Sequence, residues 1–317
     1  NAVAASDVFL AEPHDVRLSW LPLSHGMARV GDLYTALVRG GCLHVVRERS
    51  RVLDACRLLA PTVILGVPAF FERIEQGVRS GRIADLAAAL GGRVRVCVSG
   101  GAPLRQRTVD CFAARGVSLV EGYGLAEAGP VVAVSNPRIA RPGTVGPPLA
   151  GVEVRVDERP ESLGQVLVRT PCRALEVLVP AAAGDAARRE TVDVPATTWL
   201  ETGDLGEMDA AGHLRITGRL RDTLVLATGV KIPPAAVERA LSEDEAVAQV
   251  CVVGDGLSWP LALVVPEPDV LRAAIRRLGV TVLSRRAALS HPHVLAWLGR
   301  RLARRQAALP RAWRVRR

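Results

Sequence analysis

A tyrosine and a glutamate follow a glycine-rich turn, and their types suit the binding of a flat, charged ligand. The strand-like segment Val94–Ser99 continues as Gly-Gly-Ala-Pro, and a planar ring can approach the backbone closely because Gly101 has no Cβ. Further along, Tyr123 offers an aromatic face for stacking, and Glu127 offers the hard carboxylate oxygen that Mg2+ prefers. By itself Gly-Gly-Ala-Pro is a weak signal, since glycine-rich turns join many strands to helices.

A second pair of polar residues, an aspartate and an arginine, also stands directly after glycine. Asp204 ends a Thr-Gly-Asp segment, and the two oxygens of its carboxylate can accept protons from two hydroxyl groups at once. Arg219 ends a Thr-Gly-Arg segment, and its permanent positive charge suits an anionic ligand. Both residues could therefore contribute to the same kind of site as Tyr123 and Glu127.

The sequence around these residues resembles the adenylate-forming superfamily, which includes acyl-CoA synthetases, luciferases and the adenylation domains of peptide synthetases. The resemblance lies in Ser99–Leu104, Val120–Pro130 and Trp199–Pro234, which have the order and spacing of that superfamily. The sequences of Leu21–His25 and Asp222–Gly229 are most similar to those of the long-chain fatty acyl-CoA synthetase branch. This resemblance implies ATP-dependent conversion of a fatty acid to acyl-AMP, followed by transfer to coenzyme A.

The resemblance also implies a role for each motif residue. Tyr123 would stack on adenine, Asp204 would accept both ribose hydroxyls, and Glu127 would bind Mg2+. The positions implied in catalysis are Glu127, Arg219 and His25. The positions implied in binding ATP, AMP or coenzyme A are Gly100, Gly101, Ala102, Tyr123, Gly124, Ala126, Asp204, Arg219, Gly229 and Lys231.

Three of these residues also have a purely structural interpretation. Tyr123 would then be a core aromatic, Glu127 an acid in the first turn of a helix, and His25 a histidine hydrogen-bonded at a strand end. The flanking matches favour the functional interpretation for Tyr123 and Glu127. For His25 the functional and the structural interpretation are equally well supported.

Position 126 departs from the superfamily's pattern. The usual residue is a threonine whose hydroxyl contacts a nucleotide phosphate, and this chain has alanine. Losing one hydrogen bond to a charged group costs about 1.5–3 kcal/mol, which corresponds to roughly one to two orders of magnitude in rate. Ala126 therefore leaves open a non-catalytic relative that binds nucleotide or acyl groups. A separate alternative, which does not depend on this position, is an acyl-AMP ligase that loads a carrier protein rather than coenzyme A.

The lysine content bears on how much of an enzyme is present. Lys231 is the only lysine beside 40 arginines. Members of the superfamily carry one lysine in an upstream Pro-Lys-Gly loop and a catalytic lysine near the C-terminus, and this sequence has neither. We expect the chain to be part of a longer polypeptide and to be inactive alone. The rival hypothesis is a short relative that has lost both motifs.

The hydrophobic pattern predicts an α/β fold, and the resemblance divides it into three parts. Alternating strand and helix patterns in residues 1–140 predict a parallel sheet flanked by helices. Short alternating segments in residues 141–218 predict a small antiparallel β-barrel. Residues 219–317 correspond to the mobile α+β C-terminal domain of the superfamily, in incomplete form.

The net charge of +9 is concentrated at one end of the chain. From Leu271 to Arg317 there are thirteen arginines and no acid, whereas the preceding residues hold 28 basic and 32 acidic side chains. One interpretation is a solvated basic face on the last helices. The other is attraction of a polyanion, either an anionic membrane surface or coenzyme A. Sequence-specific nucleic-acid binding has no supporting motif.

The cysteines and apolar runs indicate the compartment. The six cysteines are scattered without the spacing of metal ligands, as expected of small buried side chains in a reducing environment. The longer apolar runs are interrupted by proline or charge before they could span a bilayer. We expect a cytoplasmic protein, with peripheral attachment to the inner face of the membrane as a second possibility for its basic end.

Overall fold

The computed structural model describes residues 1–159, 163–179, 188–191 and 198–316. The chain divides into two compact units, Asn1–Ile216 and Thr217–Arg317. The first unit contains the predicted parallel sheet and, in the region predicted to form a small β-barrel, antiparallel sheets. Closure of these strands into a barrel and the further division at residue 140 stay predictions.

A six-stranded sheet lies at the centre of the first unit. Its strands are β1 (Val16–Ser19), β2 (Cys42–Val45), β3 (Val63–Gly66), β4 (Val96–Ser99), β5 (Leu119–Gly124) and β6 (Val131–Val134). Their order is β2-β1-β3-β4-β5-β6, in which β1 to β5 run parallel and β6 is antiparallel to β5. The predicted parallel sheet is confirmed, with one antiparallel strand at its edge.

Helices flank this sheet, and its central strands β3 and β4 are buried on both faces. The helices are α1 (Ala2–Val8), α2 (Thr35–Arg39), α3 (Val52–Leu59), α4 (Pro68–Arg79), α5 (Leu86–Ala89) and α6 (Gln106–Ala113). Proline at the first position favours the start of α4, because its missing N–H would have no partner there. In β3, Val63 and Leu65 belong to one hydrophobic core and Ile64 to the other. This double burial explains why the sequences of β3 and β4 are almost continuously apolar.

The second half of the first unit is antiparallel. Its strands are β7 (Glu153–Val156), β8 (Gln165–Arg169), β9 (Glu176–Val179), β10 (Arg188–Thr191), β11 (Leu200–Met208) and β12 (Leu214–Arg219). Four of them form a sheet in the order β12-β11-β8-β7, and β9 pairs with β10. Val166 and Val168 of β8 share a hydrophobic core with Val96 and Val98 of β4. The antiparallel sheet is thereby fixed against the parallel one.

The second unit is a small α+β assembly. Its elements are β13 (Leu224–Val225), β14 (Lys231–Ile232), α7 (Pro234–Ser242), β15 (Val247–Val253), β16 (Leu261–Pro266), α8 (Pro268–Arg277), α9 (Arg285–Ser290) and α10 (Pro292–Arg305). Helix α7 packs on the β15–β16 hairpin through Val237, Leu241 and Val252. Arg301 of α10 donates from Nε to Oδ1 of the buried Asp244 at 2.7 Å, which anchors α10. Across the described ranges, no helix is both long and apolar enough to cross a membrane.

A buried ion pair lies where β1 meets the helical segment that follows it. That segment, Met27–Tyr34, is a π-helix and carries Asp32. Asp32 and Arg17 are each 1% exposed, and Arg17 Nη1 lies 3.8 Å from Asp32 Oδ1 while donating to the Gly31 carbonyl at 2.8 Å. Neither carboxylate oxygen of Asp32 accepts a hydrogen bond from the described residues. Burial raises the pKa of Asp32 to about 7, although the Arg17 charge lowers it.

This pair gives a prediction about pH. The unfolded chain releases the Asp32 proton near the ordinary aspartate pKa of about 4, whereas the folded chain holds it up to a pKa of about 7. The contribution of Asp32 to the free energy of unfolding therefore falls as pH rises through this interval. Asp32→Asn, which stays neutral, should remove that fall. Urea unfolding of both proteins at about pH 4.5 and about pH 7.5 measures the difference, and parallel changes in the two proteins would contradict it.

Candidate functional site

The glycine-rich turn lies at the carboxyl end of β4, next to two other segments. Gly100 is buried, and a Cβ there would lie 2.9 Å from Met27 Sδ and 3.4 Å from the Gly122 carbonyl oxygen. Gly101 has φ of 85°, with open space where its Cβ would be, and Ala102 is exposed beside it. The turn therefore presents free backbone on its outer side while its inner side is closely packed.

One residue that sequence reasoning missed supports this turn. Glu121 pairs with Ser99 across β5 and β4, and its Oε2 accepts a hydrogen bond from the Leu104 N–H at 3.3 Å. The signal for it was present, since Glu121 is the one acid in the strand sequence Leu-Val-Glu-Gly-Tyr-Gly. A charged side chain inside an otherwise apolar or small strand needs a partner, and here a backbone N–H of the turn is one.

A hydrogen bond between side chains joins the parallel and antiparallel halves of the first unit. The Tyr123 hydroxyl donates to Asp204 Oδ2 at 2.7 Å. Asp204 is 8% exposed and lies on β11, where the register against β8 shifts between Glu201 and Leu205. The Thr202 hydroxyl accepts from the Asp204 N–H at 3.0 Å and donates to the Val166 carbonyl at 2.7 Å, so the irregular stretch is held on both sides. Tyr123 and Asp204 are thus brought together from positions 81 residues apart.

Gly124 is the last residue of β5, and its backbone lies very close to the Pro130 carbonyl group that precedes β6. A Cβ at Gly124 would lie 2.9 Å from the Pro130 carbonyl carbon and closer still to its oxygen. The β5–β6 register also shifts between Tyr123 and Gly124. The chain needs glycine at position 124 because a Cβ there would collide with the Pro130 backbone. This close approach leads directly into the 3-10 turn Ala126–Ala128.

That 3-10 turn displays the predicted metal ligand. The side chains of Ala126 and Glu127 are exposed, and the Glu127 carbonyl accepts from the Ala174 N–H at 2.9 Å. Within the described ranges, no three His, Cys, Asp or Glu side chains cluster as metal ligands. The donor set nevertheless suits Mg2+, which typically takes one or two protein carboxylates together with substrate phosphates.

His25 lies in the turn that precedes the π-helix, close to the same edge of the sheet. Its side chain is exposed, and its Nδ1 accepts from the Met27 N–H at 3.3 Å. A Cβ at Gly26 would lie 2.8 Å from the Pro130 ring. Through Met27 and Gly26, the His25 turn therefore borders both the glycine-rich turn and the segment after β5.

The remaining predicted residues belong to the second unit. Arg219 ends β12 and is exposed, and Thr223 donates to its carbonyl at 3.3 Å. Gly229, with φ of 77°, forms the turn between β13 and β14, and Lys231 begins β14 with an exposed side chain. Their predicted roles in binding nucleotide and coenzyme A stay predictions.

Fold and family profiles together define the class of protein. The parallel sheet flanked by helices and followed by antiparallel strands is the fold expected of an adenylate-forming enzyme, and the glycine-rich turn, Tyr123 and Asp204 lie together within it. The chain belongs to the AMP-binding enzyme family, whose sequence profile matches residues 1–176, and the profile of the AMP-binding enzyme C-terminal domain matches residues 221–278. The family resemblance seen in the sequence is confirmed.

Curated relatives indicate the branch of this family. The long-chain-fatty-acid–CoA ligase FadD15 of Mycobacterium bovis is 30% identical over 297 residues, covering 80% of this chain and 47% of the relative. Long chain acyl-CoA synthetase 1 of Arabidopsis thaliana is 28% identical over 326 residues, covering 84% of this chain and 47% of the relative. The chain therefore lies in the fatty acyl-CoA synthetase branch and spans about half the length of these relatives.

Solved structures share the fold. The anthranilate CoA ligase AuaEII, in complex with anthranoyl-AMP, has a TM-score of 0.72 at 20% identity, covering 99% of this chain and 57% of that chain. ATP-bound MatB from Rhodopseudomonas palustris has a TM-score of 0.69 at 22% identity, again covering 99% of this chain and 57% of that chain. At these identities the likeness supports the α/β fold alone.

Proposed function

We propose that this chain is the nucleotide-binding part of a long-chain fatty acid–CoA ligase, which forms acyl-AMP from ATP and a fatty acid and then transfers the acyl group to coenzyme A. The observation that carries the proposal is the 2.7 Å hydrogen bond from Tyr123 to Asp204. It places an aromatic face and a carboxylate side by side at the glycine-rich turn, and these are the groups that adenine and ribose require.

Different residues of the chain would bind the adenine and the ribose. Gly100, Gly101 and Ala102 would lie along one face of adenine, and Tyr123 would stack on the other. Asp204 would accept both ribose hydroxyls, with the ribose replacing the Tyr123 hydroxyl on Oδ2 when nucleotide enters. Glu121 would hold the turn in place through the Leu104 N–H.

The charged positions would act on the phosphates. Glu127 would hold Mg2+, which when bound neutralises the charge of the leaving pyrophosphate. Arg219 would contact ribose and phosphate, and His25 would lie on the acyl and phosphate side. Gly229 and Lys231 would line the path of coenzyme A. Because both lysine motifs of the superfamily are absent, we propose that these 317 residues complete neither half-reaction alone.

The acyl substrate is proposed from the relatives. FadD15 and long chain acyl-CoA synthetase 1 are named for long-chain acyl substrates, whereas AuaEII is an anthranilate ligase. Sequence identity to the first two is higher, which favours a fatty acid over an aromatic acid. Ala126 specifically favours a second candidate, a relative that binds nucleotide or acyl groups without turning them over.

The test is ATP–pyrophosphate exchange by the native polypeptide that carries this sequence, with a panel of fatty and aromatic acids. Ala126→Thr restores the missing hydroxyl at an exposed position. If the site is catalytic, we expect exchange with long-chain fatty acids to rise about tenfold to a hundredfold, because one hydrogen bond to a charged phosphate is regained in the transition state. Ala87→Thr, at an exposed alanine of α5, is the matched control and should change nothing.

The outcomes separate the candidates. Exchange that responds to fatty acids and rises with Ala126→Thr supports the ligase. Nucleotide binding without exchange in either protein would favour the non-catalytic relative, and exchange only with aromatic acids would refute the fatty-acid substrate. Exchange by the 317-residue chain itself would overturn the statement that this part is inactive.

A further inference from the structure

The loop between α8 and α9 has an unusual composition for an exposed segment. Residues 276–286, here called the arginine-flanked loop, read Arg-Arg-Leu-Gly-Val-Thr-Val-Leu-Ser-Arg-Arg. Leu283 is 100% exposed, with none of its surface covered by the protein. Ser284 caps α9 by accepting the Ala287 N–H at 3.1 Å, so Leu283 lies just outside a fixed helix end.

The four arginines of the loop are exposed and carry uncompensated charge. In the part of the chain that the structure describes, none of Arg276, Arg277, Arg285 and Arg286 forms an ion pair with a carboxylate. The contrast is with Arg301 on α10, which is paired with Asp244 and Glu245. These four guanidinium groups are therefore available to an anionic partner outside the chain.

The surroundings add to this positive charge. Arg300 and Arg304 are exposed one turn apart on α10, which packs against α9. Leu295 on the same helix is 50% exposed. No acid occurs between Leu271 and Arg317, so nothing in this stretch of sequence offsets the charge.

We infer that the arginine-flanked loop docks on an anionic lipid bilayer, with Leu283 entering the headgroup region and the arginine pairs binding lipid phosphates. A bilayer is the partner that uses both features, because its interface takes an apolar tip while its surface binds the cations on either side. Coenzyme A or a nucleic acid would use the arginines and leave Leu283 in water. The inference stands apart from the proposed ligase activity, and it would place the chain at a membrane face rich in anionic lipid.

The experiment is vesicle co-sedimentation of the 317-residue chain, using phosphatidylcholine vesicles with and without about one third phosphatidylglycerol. We expect binding to the anionic vesicles that weakens with added salt. Arg285→Gln/Arg286→Gln should lower the partition coefficient about thirtyfold, since each arginine near such a surface is worth roughly a factor of five. Leu283→Asn should lower it on the order of tenfold by removing the apolar contact.

Matched controls come from the first unit. Leu58→Asn replaces another highly exposed leucine, 82% exposed on α3, and Arg49→Gln/Arg51→Gln removes two exposed arginines from a short 3-10 helix. These variants should lose at most about twofold each, because their residues lie outside the arginine-flanked loop that is inferred to contact the bilayer. Equal loss in control and loop variants, equal binding to neutral vesicles, or retention of coenzyme A or RNA without vesicle binding would each overturn the inference.

Discussion

Replacing Asp204 with alanine is expected to weaken AMP binding about a hundredfold or more, since two charge-assisted hydrogen bonds to ribose are lost at about 1.5–3 kcal/mol each. Asp204 is 8% exposed, and the Tyr123 hydroxyl already orients its carboxylate, so AMP binding costs this side chain little conformational entropy. Isothermal titration of AMP into the purified chain measures the loss directly.

Tyr123→Phe is the matched control for this prediction. It keeps the aromatic ring for stacking and removes only the hydroxyl that donates to Asp204. We expect a loss of about tenfold or less, corresponding to one ordinary hydrogen bond. If Asp204→Ala retained an intact fold and bound AMP as the wild type does, Asp204 would not be the ribose ligand and the proposed function would lose its main support.

The second large effect is expected from Gly124→Ala, which should destabilise the first unit by about 3 kcal/mol or more. The new Cβ would collide with the Pro130 carbonyl, and this neighbour is backbone, which cannot rotate away as a side chain can. Relief requires β6 to move from β5, which breaks the pairing of Tyr123 with Ala133. Urea unfolding monitored by circular dichroism gives the change in the free energy of unfolding.

A second glycine distinguishes a steric effect from a conformational one. Gly212 has φ of 77° but open space where its Cβ would be, so Gly212→Ala should cost only about 1–2 kcal/mol for the left-handed backbone. The larger loss at Gly124, which lacks a positive φ, then reports the collision alone. Equal losses of stability in Gly124→Ala and Gly212→Ala would contradict the prediction. They would show that β6 moves away from β5 at little cost and that the candidate site tolerates a wider spacing between these strands.

Local sequence was sufficient to predict the kinds of element in this fold. Alternating strand and helix patterns in residues 1–140 predicted the parallel sheet with its flanking helices, and short alternating segments in residues 141–218 predicted antiparallel strands. Such patterns are local because burial alternates with the period of the helix or strand itself. The π-helix at Met27–Tyr34 was not predicted, because the wider turns of a π-helix leave no distinct sequence pattern.

The contacts within the candidate site could not be predicted in the same way. The sequence motifs identified Tyr123 and Asp204 as separate candidates. Their hydrogen bond depends on the packing of two sheets through Val96 and Val166, which the motifs do not specify. The Glu121 contact to Leu104 and the Arg17–Asp32 pair depend on register and helix geometry that periodicity does not specify. Likewise, composition identified the basic end of the chain but not the full exposure of Leu283.

The strand order of the parallel sheet has a consequence for how the site forms during folding. Because the order β2-β1-β3-β4-β5-β6 nearly follows the chain, each strand can join a neighbour that was made shortly before, and loop-closure entropy stays small at each step. The bond between Tyr123 and Asp204 instead closes 81 residues. It can form only after β11 has docked, so the binding site matures late, and a nucleotide that selects the docked state would act as a folding ligand for the first unit.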